Sequence, residues 1–264
     1  MKVSYFPGCT LKNKAKELDA YARRCAETLG ITPEELENWQ CCGGVFTTAG
    51  DEVATKLASV RALKAAYENG QPLVTVCSAC HNVIKQTNHA MQNDRAFADT
   101  VNRYLREDGE YRGEATVYHY LELLRDVVGF DTVRTHVKNS LKGKKIAAYY
   151  GCLLLRPNKV MRMDDPENPT VMEDLIRALG GDAIIYAMRN ECCGGYVSVE
   201  SPEAAKRDAN AVIRNARAAG AEMIITACPL CKYNLCRCEA DIPVVYFTEL
   251  LAEALGVKED INEK

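Results

Sequence analysis

Short apolar runs alternate along this chain with longer stretches in which Ala, Leu and Val recur at helical spacing among Lys, Arg and Glu. The segments 2–6, 73–76 and 117–118 are β-rich, and so are 145–150, 223–227 and 245–246. Between them, 14–29, 51–67 and 202–219 carry the period of amphipathic helices. Asp51 and Ser201 stand where N-caps are expected, and Pro202 suits a first helical turn. Gly129 and Gly256 stand where helices should end. Strands separated by helices of this length imply parallel βα units. The expected fold class is therefore α/β, with short, mainly parallel sheets flanked by helices.

The pattern is doubled. Cys9 precedes Cys41-Cys42-Gly43-Gly44 and then Cys77-Ser78-Ala79-Cys80. Cys152 precedes Cys192-Cys193-Gly194-Gly195 and then Cys228-Pro229-Leu230-Cys231. Cys42 and Cys77 lie 35 positions apart, as do Cys193 and Cys228. The lead-in differs, 32 positions from Cys9 to Cys41 against 40 from Cys152 to Cys192. A fixed rule applied twice marks two tandem domains. The expected division is a first domain at 1–130, a polar linker at 131–144 and a second domain at 145–264. The first carries a helical insertion near 82–113. The lysines around Gly143 read as a solvated linker and not as a nucleic-acid patch.

Length and charge narrow the classes. A chain of 264 residues holds one or two domains with a full core. With 33 basic against 36 acidic residues, a wholly basic nucleic-acid binder is excluded. Pro7 and Gly8 interrupt the N-terminus before a secretory signal forms, and no apolar run approaches the ~18 residues of a membrane span. The expected compartment is the cytosol. There, 13 cysteines in patterned clusters point to metal or redox chemistry ahead of disulfides.

Each half brings five of those thiols to strand-to-turn transitions, where parallel α/β units form their sites. Helix N-termini there favour thiolates, and the Gly-Gly pairs let the backbone turn tightly and offer N–H groups to sulfur. Zinc takes four ligands, and adjacent cysteines suit one small ion poorly. Iron–sulfur clusters suit the pattern better. Residue counting leaves a cubane with one spare thiol and a larger, non-cubane arrangement both open.

The doubled Cys, Cys-Cys-Gly, Cys-x-x-Cys pattern resembles the tandem cysteine-rich CCG domains in the family of the heterodisulfide reductase B subunit. The resemblance covers nearly the whole chain. It implies two pseudo-two-fold-related domains, each binding a non-cubane [4Fe–4S] cluster. Cys9, Cys41, Cys42, Cys77 and Cys80 would hold one cluster, and Cys152, Cys192, Cys193, Cys228 and Cys231 the other. It implies reduction of a disulfide, the heterodisulfide of coenzyme M and coenzyme B or a related compound, by paired one-electron transfers. Neither a ferredoxin Cys-x-x-Cys-x-x-Cys run nor a Gly-x-Gly-x-x-Gly fingerprint is present, so electrons are expected from other subunits. The family implies two partners in the same complex, a ferredoxin-like and a flavin-bearing subunit. Other tandem CCG proteins serve succinate, glycolate, lactate and glycerol-3-phosphate oxidation. A non-catalytic electron-transfer subunit is therefore the competing reading.

Further residues are candidates. His81 follows Cys80; it reads as a surface-helix histidine or as a donor of hydrogen bonds or protons at the site. Lys12 and Lys14, then Arg156 and Lys159, follow the leading cysteines; they read as lining a path for an anionic substrate or neutralising a negative cluster, or as solvated helix and loop charges. Arg156 and Lys12 stand with His81 as the expected catalytic residues. The segment 161–165, among Pro157, Pro166 and Pro169, reads as a loop able to gate substrate. Trp39 reads as packing beside the first thiol set. Cys25 reads as a small core residue, and Cys236 and Cys238 as bystanders or a minor auxiliary pair.

Overall fold

The computed structural model describes residues 1–44, 53–238 and 242–262. The expected N-cap Asp51 lies outside them. The first half runs β1 (Lys2–Phe6), α1 (Cys9–Asn13), α2 (Lys16–Thr28), β2 (Thr32–Glu35), α3 (Leu57–Glu68), β3 (Leu73–Thr75), α4 (Ser78–Asn93), α5 (Arg95–Tyr104), β4 (Val117–His119), α6 (Tyr120–Glu122) and α7 (Phe130–Thr135). A π-helical turn, Leu123–Val128, joins α6 to α7. The second half runs β5 (Lys145–Tyr149), α8 (Asn158–Met161), α9 (Val171–Ala178), β6 (Asp182–Ile184), α10 (Pro202–Ala218), β7 (Met223–Thr226), α11 (Pro229–Cys236), β8 (Val244–Tyr246), α12 (Phe247–Ala254) and α13 (Glu259–Asn262).

The apolar runs form the inner strands because they are buried on both faces; β3 and most of β1, β5 and β7 are inaccessible to solvent. The two sheets have the same all-parallel plan, β2-β1-β3-β4 and β6-β5-β7-β8. The chain leaves β1 for β2 on one side, then crosses back to β3 on the other. Loops at the C-terminal ends of β1 and β3 therefore diverge, opening a crevice where α/β sheets place their sites. Sequence patterning missed β2 and β6. Both are edge strands with partly exposed residues, Thr-Pro-Glu-Glu and Asp-Ala-Ile, and neither has an apolar run to read. Ser201 does occupy the N-cap of α10, but its side chain makes no capping hydrogen bond.

The halves exchange helices. α12 packs on α2, and α7 packs on α9. Phe247 and Leu251 of α12 are fully buried, each such burial stabilising by roughly 1.5–3 kcal/mol. Cys25 sits in this seam, its Sγ 3.8 Å from the Thr248 carbonyl, as a core residue. The Pro-containing lead-in of the second half contains one helical turn, α8, and is pinned at several points. Asn82 Nδ2 donates to the carbonyls of Leu153 and Arg156, at 2.7 Å each. Asp164 Oδ2 accepts the N–H groups of Thr170 (2.7 Å) and Val171 (2.8 Å), starting α9. Met161 and Met163 are buried. This segment is a seated structural element and not a free gate.

Candidate metal centre

Three loops build each thiol set, one after each of the first three strands. In the first half, Cys9 follows β1, Cys41 and Cys42 follow β2, and Cys77 and Cys80 follow β3. Cys9 Sγ is 3.5 Å from Cys41 Sγ, and Cys42 Sγ is 3.4 Å from Cys80 Sγ. In the second half, Cys152 Sγ is 3.8 Å from Cys192 Sγ, and Cys193 Sγ is 3.5 Å from Cys231 Sγ. Cys9, Cys41 and Cys192 are exposed and Cys152 is half-buried, whereas Cys42, Cys77, Cys80, Cys193, Cys228 and Cys231 are buried. Each set thus has an outer pair and an inner trio. Across the seam Ser78, next to Cys77, hydrogen-bonds the Ala227 carbonyl, next to Cys228, and Ser78 also lines the cleft of the second set, so the two sets adjoin.

Local backbone chemistry explains the placement. Cys77 and Cys228 are the N-caps of α4 and α11, with extended backbone (ψ 122° and 123°). Contacts with Cys231 and Cys77, helped by N–H groups in the first turn of α11, lower the Cys228 thiol, whereas hydrogen bonding with Cys228 raises Cys77. Gly43 and Gly194 adopt φ of 76° and 73°, which only glycine takes without strain. The turn lets the Gly194 N–H reach Cys192 Sγ at 3.3 Å. Gly8 and Gly151 have a second reason to be glycine. A Cβ on Gly8 would lie 2.9 Å from Cys80 Sγ, and one on Gly151 3.2 Å from Cys231 Sγ.

Protons distribute unequally over the thiols. Hydrogen bonds from Cys41 and then Cys80 push Cys42 down to about 4, and Cys41 rises in return. Hydrogen bonds from Cys152 and Cys193 push Cys192 down to about 2. Cys228 falls through contacts with Cys231 and Cys77. Each half therefore presents stabilised thiolate, the form that binds metal.

All five cysteines of the second set line one cleft, together with Ser78, Tyr150, Tyr196 and Leu230. Among the described residues, however, no three His, Cys, Asp or Glu side chains converge as a single metal ion requires. Thiols ranged round a cleft, with glycines keeping its wall clear, fit a polynuclear iron–sulfur group better than one zinc ion.

The remaining candidates fall into different places. His81 is not a surface residue: it is fully buried, since the face of α4 that carries it packs inward. Its Nε2 lies 3.2 Å from Glu122 Oε2, without hydrogen-bond alignment. Burial lowers its pKa. Burial works to raise Glu122, but His81 and Lys85 (2.7 Å) outweigh it and hold the carboxyl at about 2. Lys12 Nζ is bound by both oxygens of Glu35, at 2.8 and 2.9 Å. Arg156 donates to the carbonyls of Asn190 and Pro166 and pairs with Glu167 at 2.9 Å. Trp39 packs edge-on against Phe6, and its Nε1 donates to Glu35 at 3.0 Å. Lys14 and Lys159 are exposed. Cys236 and Cys238 hydrogen-bond to the carbonyls of Val244 and Asn234.

Sequence reading missed the residues that hold the loops. Glu35 joins Lys12, Arg23 and Trp39, tying the Cys9 loop to the Cys41 loop. Asn234 Nδ2 donates to the Cys193 carbonyl at 3.1 Å. Glu173, Arg189 and Tyr150 form a buried group under the second set. Gly8 and Gly151 carried a visible signal, a glycine directly before the leading cysteine in both halves.

Two stretches, 3–85 and 146–236, match the family model described as "CCG: Cysteine-rich domain". They contain all ten cysteines of the doubled pattern. An 8-methylmenaquinol:fumarate reductase membrane anchor subunit from Wolinella succinogenes is 31% identical, over 96% of this chain and 92% of its own. The B subunit of a ferredoxin/F(420)H(2)-dependent CoB-CoM heterodisulfide reductase from Methanosarcina acetivorans is 30% identical, over 98% and 91%. A crystal structure of a hypothetical protein from Helicobacter pylori shares the fold (TM-score 0.76, 13% identity), covering 99% of this chain and 50% of that one. Among the described residues no helix is long and apolar enough to cross a membrane.

Proposed function

This chain belongs to the CCG cysteine-rich domain family, and from that premise we propose that it is the iron–sulfur subunit of a heterodisulfide reductase-like complex, reducing a disulfide to two thiols. The observation that carries the reading is the adjacency of two thiol sets, with the Cys77 and Cys228 loops meeting where Ser78 hydrogen-bonds the Ala227 carbonyl. Cys9, Cys41, Cys42, Cys77 and Cys80 would hold one cluster, and Cys152, Cys192, Cys193, Cys228 and Cys231 the other, both non-cubane [4Fe–4S]. Bound there, each cluster would supply one electron.

The overall step breaks one S–S bond, adds one electron to each sulfur and takes up two protons, giving two thiols. The electrons come from partner subunits, a ferredoxin-like and a flavin-bearing one. This chain's own residues bind and orient. The side chains of Leu230, Tyr150 and Tyr196 line the cleft, while the more exposed Cys152 and Cys192 mark its mouth. N–H groups of the Gly-Gly turns and of the first turn of α11 favour negative sulfur there.

A second reading rests on the Wolinella relative, named for fumarate reduction and a quinol. In it the chain relays electrons between partners and never handles a thiol substrate. Anaerobically purified protein, supplied with reductant and a panel of disulfides, separates the two. Turnover, with EPR signals perturbed by the thiol product, supports the first reading. Fast electron passage to a quinone-linked partner with no thiol response supports the second and overturns the first.

A further inference from the structure

The carbonyls of Val76 and Ala227 occupy matching places, one residue before Cys77 and one before Cys228. Tyr246, at the end of β8, reaches both: its hydroxyl lies 2.8 Å from the Val76 oxygen and 2.9 Å from the Ala227 oxygen. Tyr246 is fully buried. Ser78 donates to the Ala227 oxygen twice, from its backbone N–H at 3.1 Å and its Oγ at 2.8 Å. A phenol has one hydrogen to give, so the two carbonyls share it.

The seam is not two-fold symmetric. The position matching Ser78 is Pro229, which has neither N–H nor hydroxyl. The position matching Tyr246 is His119, whose Nε2 lies 3.1 Å from the Val76 oxygen. Thus Val76 is met by His119 and Tyr246, and Ala227 by Ser78 and Tyr246. Only the tyrosine hydroxyl meets both.

We propose that Tyr246 is a positioning residue that fixes the separation of Cys77 and Cys228, and with it the coupling between the two thiol sets. The part concerning electronic coupling rests on the two-cluster reading above. The thiol separation does not. Tyr246→Phe leaves each carbonyl with one partner, His119 or Ser78, so the substitution removes the shared tie without orphaning a buried acceptor.

The test uses the full chain in two measurements. In anaerobically purified protein, iron and sulfide content and EPR are compared between wild type and Tyr246→Phe. Unchanged iron with a weakened magnetic interaction between the centres is the expected result. Unchanged iron with an unchanged interaction, or no interaction in the wild type, overturns the proposal. The second measurement needs no cluster. Chelator-stripped chain is treated with diamide, which takes one hydrogen from each of two thiols as their S–S bond forms and is itself reduced to the hydrazine. Peptide mapping gives the ratio of the Cys77–Cys228 disulfide to Cys42–Cys80, a control pair within one half. The ratio falls about fivefold in Tyr246→Phe, the equilibrium worth of one hydrogen bond. An unchanged ratio overturns the proposal even if the chain carries no iron, a result that would separately end the cluster reading. If Tyr246→Phe does not fold, Tyr246→His takes its place, bringing in the residue of the matching position, which there meets only the carbonyl of its own half. It removes the bond to the Val76 oxygen and lowers the same ratio, and no change overturns the proposal.

Discussion

In the first half the loops after β1 and β2 are tied together near the surface: Glu35, about a quarter exposed, collects Lys12, Arg23 and Trp39. In the second half the corresponding loops rest on an interior group. Glu173 has no exposure, Arg189 lies 3.4 Å from it, and the Tyr150 hydroxyl donates to it. The thiols, the glycines and the strand order are common to both halves; the supports are not. Ligand chemistry at the crevice therefore dictates residue type, while any network that fixes three loops will serve beneath it.

That contrast is sharpest in stability. Glu173→Ala removes the counter-charge of the buried Arg189, which keeps only the Tyr186 carbonyl and the Asn168 side chain, and takes the acceptor from the Tyr150 hydroxyl; it should cost about 3 kcal/mol in denaturant unfolding. Glu35→Ala removes partly exposed ion pairs and should cost about 1 kcal/mol or less. Equal costs would erase the distinction between an interior and a surface support.

Between those extremes stand the matched glycines. Gly8 has φ 79° and ψ 157°, a region essentially reserved for glycine, and its Cβ would press on Cys80 Sγ. Gly8→Ala should destabilise by roughly 1–3 kcal/mol, and Gly151→Ala, with 3.2 Å to Cys231 Sγ, by less. Thermal unfolding of the pair checks the order; a larger effect at Gly151 would reverse it.

A pH titration probes the buried His119, which stands where the second half has Tyr246. Burial holds His119 down at about 3, well below its ordinary 6.5. Between those values the unfolded chain binds the extra proton, so stability rises with pH. It is complete above about 6.5 and is lost as pH falls toward 3. His81, which burial also lowers, contributes to the same window, so the slope is at most about 2.7 kcal/mol per pH unit, of which His119 supplies up to about 1.4. Glu122, held at about 2, adds a further loss below its ordinary 4.5. His119→Gln should reduce the slope of the upper window, leaving the His81 share, and leave the lower window unchanged. A profile unchanged by that substitution would show that His119 does not set it.

How much of this was legible in the sequence follows from what each feature depends on. The inner strands announced themselves because burial on both faces forces apolar runs. The duplicated cysteines announced the sites because one chemistry was imposed twice at equal spacing. The edge strands β2 and β6 left no such trace, since half-exposed residues need no pattern. His81 looked like a surface residue because a lone histidine after a cysteine says nothing of which helix face packs inward. Glu35, Glu173, Ser78 and Tyr246 were invisible as site residues for a related reason: their roles arise from partners brought near only by the folded sheets. Tyr246 touches Val76 from 170 positions away.

The measurement that bears most directly on the account is iron and acid-labile sulfide in anaerobically purified full chain, compared with two double variants, Cys41→Ser with Cys42→Ser and Cys192→Ser with Cys193→Ser. If each quintet holds its own cluster, each double variant keeps half the iron and half the sulfide of the wild type. Loss of all iron from either double variant, or a colourless wild-type protein holding zinc and no iron, would contradict it.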